Sequence, residues 1–429
     1  MIRAYLAHGV RTPTHLEAVL NAEPDFAMAH AARGLFCMMM ARRELVVAAH
    51  EAYAKARTAL EQGGSTERER LWVEALSDWI SGKPSASIQR MEQALLLNPA
   101  DTFSMKVSQA IRFMLGDNHG MRRSVDRVIN AHGADHPLRG YAYGCHSFAL
   151  EETGSYAEAE KAGLDGLMWA HDDAWGLHAV AHVYTMTQRP LDGLSLIDNN
   201  MSAWDQSNNF RYHVWWHKAL LHLDRGEFDI VLSLYDTKIR EDKTDDFRDF
   251  SNASSLLVRL ELAGIDVGDR WVELADLAES RGDDGHLTFA DLHYMLALTG
   301  DKREDAAARM IARIKQSGQG TSEAANVMEH PGVTAAMGLA AFSEGQYQTA
   351  FDQLHAGIDA FQTLGGSHAQ RDVFVQVTID AAMRAGHFDA AERLILDRRN
   401  VRKGTVDSFA KSRLANISHH QTVKHTTAA

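Results

Sequence analysis

The chain has 429 residues, 45% hydrophobic and 24% charged, which is enough apolar content to bury a large core and excludes a disordered polymer. Its 44 basic and 57 acidic residues give a formal charge of −13 with histidine neutral. That balance removes the main electrostatic drive toward DNA or RNA, the displacement of counterions by Lys and Arg, so no nucleic-acid partner is expected.

Cys37 and Cys145 are the only cysteines, too few and too far apart for a disulfide framework, so a cytoplasmic location is the expectation. The stretch from Met1 to His8 lacks the apolar run of a secretory signal. No window approaches the ~18 apolar residues of a membrane span, and no membrane partner is expected. Seven prolines leave long intervals filled by Ala, Leu, Glu, Arg and Met, which predicts an all-α chain.

In chain order, a first helical hairpin is expected to turn near Arg42-Arg43. Thr66 with Glu69 has the spacing of a capping box, a turn follows at Gly82, and Pro99 stands where a second helix should stop. Further turns are expected at Asn118-Gly120, Gly154, Gln188-Pro190, Gly226, Gly264, Gly300, Gly345 and Gly386, spaced by 34 to 45 residues. Four of them carry Gly-x-aromatic-x-x-small: Gly154-Tyr156-Ala159, Gly226-Phe228-Val231, Gly345-Tyr347-Ala350 and Gly386-Phe388-Ala391. There glycine ends the first helix, the aromatic residue wedges between the two helices, and the small residue lets them close up. One turn per 34 to 45 residues is the mark of a tetratricopeptide-like α-α superhelix, here a solenoid of roughly ten hairpins. No linker divides it, so residues 1–411 read as one domain. Residues 412–429, with His419, His420 and His425, lose periodicity and read as a disordered tail.

Two histidine pairs stand out, His178/His182 and His213/His217. A spacing of four puts both rings of a pair on one helix face, and the 35-residue offset matches one repeat, so four imidazoles are expected to converge. Imidazoles at such spacing on adjacent helices can hold Zn or another divalent metal. Neither pair has the glutamate that zinc proteases place after the first histidine, since Ala179 and Val214 occupy those positions. Glu152 and Asp173 are the nearest candidate bases. Without a metal, the same rings would divide into acid and base, the chemistry of a hydrolase or lyase, with His293 as a further catalytic candidate.

The segment Asp173-Ala174-Trp175 is followed by His178 and Ala181-His182, then by His213, Trp216-His217, Ala219-Leu220 and Leu234-Tyr235-Asp236. Together with Phe289, Asp291 and His293, and the run Leu364-Gly365-Gly366-Ser367 followed by Ala369-Gln370-Arg371-Asp372-Val373-Phe374, it resembles the tetratricopeptide repeat protein 38 family. The resemblance covers almost the whole chain. It implies the repeat fold and polar residues inside the helices, without an established reaction.

Aromatic walls from Trp175, Tyr212 and Trp216 suit a small-molecule ligand. Asp291, His368, Gln370, Arg371 and Asp372 are candidate ligand-binding residues. Ser367 with Gln370 forms a capping box, yet the glycine-rich helix start with Arg371 also offers an anion pocket. The alternative is a non-catalytic scaffold holding a peptide or protein in its concave groove, with the histidines as core residues and self-association into a homo-oligomer left open.

Overall fold

The computed structural model describes residues 1–427, with the side chains of residues 1–422. Within these the chain is helical, and its sole extended pairing is an isolated bridge between Gly9 and Ser207. Ten successive hairpins run from Ala27–Met39 with Arg43–Glu61 to His368–Arg384 with Phe388–Val401. Each buries an apolar face by stacking on its neighbours, as tetratricopeptide-like repeats do. No described helix is long and apolar enough to cross a membrane.

Every hairpin turn holds a residue with positive φ, and the seventh holds two, Gly264 and Gly268. At seven turns the residue is glycine, and at Ala41, Gln188 and Lys302 another residue takes φ of 52°, 57° and 55°. The small residues expected at the hairpin crossings, Ala159, Val231, Ala350 and Ala391, are fully buried. Two turns fall slightly away from their expected places. The third is Leu115–Asp117, with Gly116 at φ 68°, and Asp117 caps the next helix through the Gly120 amide at 2.9 Å. The eighth pivots on Lys302, because Gly300 still belongs to the helix Thr288–Gly300 and faces the Trp271 ring.

The coil closes on itself. Gln362 Nε2 donates to Gly116 O at 2.7 Å, Gly366 N to Phe113 O at 3.1 Å, and Tyr156 Oη to Val401 O at 2.8 Å. Arg402 Nη2 reaches Thr185 O at 2.7 Å, and Glu323 N reaches Gly82 O at 3.0 Å. Closure explains why some first helices are buried on nearly every face: 14 of the 16 residues in Phe247–Leu262 are buried.

The segment expected to be a disordered tail instead begins as a helix, Ser408–Thr427. Ile417 is buried in a cluster with Ile379 and Leu394, and Arg413 Nη2 pairs with Asp380 Oδ1 at 2.9 Å. Of its apolar contacts, Phe409 and Ala410 lie before residue 412, and Leu414 and Ile417 alone are too few to give a periodic signal within 412–429. His420 stacks on Phe388, and the side chain of His425 lies outside the described residues.

Candidate functional site

His178 and His182 project from Ala174–Met186, the first helix of the fifth hairpin, and His213 and His217 from Phe210–Asp224, the first helix of the sixth. Stacking of consecutive hairpins turns the two faces toward each other. Nε2 of His178 lies 2.9 Å from Nε2 of His182 and 3.2 Å from Nε2 of His213, which is itself 3.2 Å from Nε2 of His217. One ring nitrogen from each residue falls within 4.8 Å of all the others. His178, His182 and His217 are at most 2% exposed, and His213 is half-buried.

This packing does not satisfy itself through hydrogen bonds. A neutral imidazole nitrogen is either one donor or one acceptor, along one direction in the ring plane. His178 and His213 would each need to serve two neighbours through a single Nε2. The Nδ1 atoms of His178, His182 and His217 also lack hydrogen-bond partners. His213 is the exception: its Nδ1 lies 2.9 Å from Asn252 Oδ1, to which it donates, which leaves the Nε2 lone pair facing the centre. Burial, then mutual repulsion, holds His178, His182 and His217 well below the ordinary histidine range, and burial lowers His213 to about 4. All four are therefore neutral at pH 7.

The first helix of the fourth hairpin brings Glu151, whose Oε2 lies 3.6 Å from His182 Nδ1. Coil closure brings His368, 217 positions later, to put Nε2 2.8 Å from Glu151 Oε1. Burial would lower His368, but the Glu151 and Glu152 carboxylates outweigh it and raise the imidazole to about 9. Glu151, Glu152, His182 and His368 thus form a second group of close ligand atoms, sharing His182 with the first. His8 closes the other side, stacked on Phe210 at 4.3 Å and on Trp175 at 5.7 Å.

Of the residues expected around this centre, Trp175 and Trp216 are walls, with centroids 5.0 Å from His178 and 5.2 Å from His213 respectively. Tyr212 points away, with its hydroxyl on Asp242. Asp291 is held by Arg313 at 2.5 and 2.8 Å on another face. Asp173 sits at the start of the His178 helix, where burial raises it to about 7, outside both groups. Gln370 completes the capping box with Ser367. The glycine-rich helix start is filled from within: the His368 amide donates to Glu152 Oε1 at 3.0 Å, and Arg371 binds the carbonyls of Gly365 and Gly366. Asp372 is paired with Arg398 at 2.6 and 2.7 Å.

His293 stands apart from the four rings. It lies between Phe289 and Phe374, and its Nδ1 donates to Phe289 O at 2.7 Å. Burial lowers it to about 3. Below about pH 6.5 the unfolded chain takes up a proton here that the folded chain refuses, so stability present above that pH is lost as pH falls toward 3. His293→Phe is expected to flatten denaturant-measured stability between pH 6 and 4 by about 1.4 kcal/mol per pH unit. An unchanged slope would show that this ring does not control acid sensitivity.

Fold and site together define a tetratricopeptide-like superhelix with a buried histidine centre. No family model matches the chain. A chain in the solved structure of Naa15/Naa10 bound to HypK-THB is similar to it at 12% identity and a TM-score of 0.27, over 98% of this chain and 65% of that one. This chain thus spans just under two thirds of that protein.

Glu151, His8, Asn252 and His368's link to the cluster escape a sequence reading. Adjacent Glu151-Glu152 at the end of an apolar helix is the one sequence signal, since buried carboxylates demand partners.

Proposed function

We propose that the chain is a metal-holding solenoid of the tetratricopeptide repeat protein 38 type, a single domain in which His178, His182, His213 and His217 bind one divalent transition ion, zinc foremost, through their Nε2 atoms. One observation carries this reading: four Nε2 atoms from two helices, three of them on fully buried rings and the fourth on half-buried His213, meet where they cannot all bond one another. Tetrahedral zinc with bonds of 2.0 to 2.1 Å sets its nitrogens about 3.3 Å apart, close to the spacing seen here. Neutral imidazoles are the required protonation state. Glu151 beside His182 Nδ1 and Asn252 on His213 Nδ1 are the outer partners that orient metal-bound histidines.

Four protein ligands fill the shell and leave no position for substrate water, which favours a stabilising centre over a hydrolytic one. The family assignment draws support from the strings around Asp173–His182 and Leu364–Phe374.

The test is elemental analysis of tag-free protein after zinc loading and desalting. Wild type and His293→Ala are expected to retain one equivalent, and His178→Ala and His217→Ala none. A metal-free wild type, or equal content in all four proteins, would refute the reading and leave the histidines as core residues.

A further inference from the structure

A cavity of about 520 Å³ lies where the tenth hairpin and the last helix close over the fifth, sixth and seventh hairpins. Its apolar lining includes Leu220, Leu223, Phe228, Phe361, Val375 and Phe409. Arginines are interleaved with these, and Arg398 and Arg413 lie over the Phe409 ring. Arg398 is neutralised by Asp372 and Asp407, Arg413 by Asp380, and Arg402 lies 3.6 Å from Asp407. Arg371 is consumed by the Gly365 and Gly366 carbonyls and lies 3.7 Å from Glu152.

Arg259 differs from these. It is 5% exposed, yet among the described residues it has no carboxylate within 4.0 Å. Two carbonyls hold it, Ser255 O at 3.0 Å and Ala369 O at 2.7 Å, and its guanidinium sits 5.7 Å from the Trp216 ring. Asp372 and Asp407 act on it only from a distance and are each paired with Arg398, so this buried guanidinium is held by neutral acceptors and has no carboxylate bonded to it directly. Its planar fork matches a carboxylate or phosphate.

We propose that this cavity binds an amphiphilic anion, with a carboxylate or phosphate head on Arg259 and an aliphatic body against Leu220, Leu223 and Phe361. Its size is that of a small-ligand pocket, and its apolar side chains share the lining with arginines and aspartates. The site is separate from the four-histidine centre, although His368 borders both.

Calorimetric titration of the full chain with decanoate, decyl phosphate and decanol tests the proposal. Decanoate or decyl phosphate is expected to bind one to one, the tighter of the two identifying the head group, and decanol to bind at least tenfold more weakly. Arg259→Gln should weaken the anion at least tenfold and Arg259→Lys less, both keeping the wild-type zinc content and melting curve. Leu223→Trp, which fills the apolar end and leaves the arginine intact, covers the case in which Arg259→Gln fails to fold. No binding of either anion at about 1 mM, decanol binding equally well, or affinity unchanged in Arg259→Gln or Leu223→Trp would overturn it.

Discussion

Stripping metal from the zinc-loaded protein is expected to lower its unfolding free energy by about 4 kcal/mol when free zinc stands a thousandfold above its dissociation constant. Without the ion, three buried rings and half-buried His213 have more nitrogens than partners, so the loss falls on the packing of the fifth and sixth hairpins. Denaturant titration with and without a chelator measures this, and His217→Ala should abolish the difference between the two curves. Glu151→Gln should retain the metal with affinity reduced about 10- to 100-fold, the range for outer partners of metal-bound histidine. Coincident curves for loaded and stripped wild type would count against any stabilising metal.

Gly365→Ala is expected to cost more than about 3 kcal/mol, well beyond the typical single substitution. At φ 83° a side chain is already disfavoured, and the added Cβ would fall 2.2 Å from Met114 O, a backbone atom that cannot swing aside. Gly116 meets the same seam from the other side, where a Cβ would come 1.8 Å from Gln362 O. Gly404 provides the control. Its φ of 94° is equally left-handed but its surroundings are open, so Gly404→Ala should cost only about 1–2 kcal/mol. Equal losses at Gly365 and Gly404 would mean that conformation alone, and not closure of the coil, sets the cost. Limited proteolysis of the Ile358–Leu364 segment, accelerated in Gly365→Ala, reports the opening directly.

The hairpin turns were legible because left-handed residues and helix starts leave local marks, as at Gly154, Gly226 and Gly386. Where a non-glycine takes that conformation, at Lys302, the mark is missing and the sequence points to Gly300 instead. The two histidine pairs were legible because helix period and repeat length are both local regularities. Long-range partners were not: Glu151 meets His368, and Phe113 meets Gly366, only because the coil curls shut, which no short string encodes. The glycine-rich helix start suggests that Arg371 is open to an outside anion, whereas the fold supplies Glu152 and two carbonyls from within. Arg259, on a helix buried on nearly every face, had nothing nearby in sequence to set it apart.

Closure also changes how the molecule comes apart. An open stack of repeats frays from its ends, and damage stays where it occurs. Here the two carboxylates that steady His368 belong to the fourth hairpin, while that ring belongs to the tenth, so loosening the late repeats is felt at once around the imidazoles near the middle of the chain. For the ion proposed above, the expected consequence is that loosening the tenth hairpin speeds its release, because His368 and the Glu151 carboxylate beside His182 move apart together.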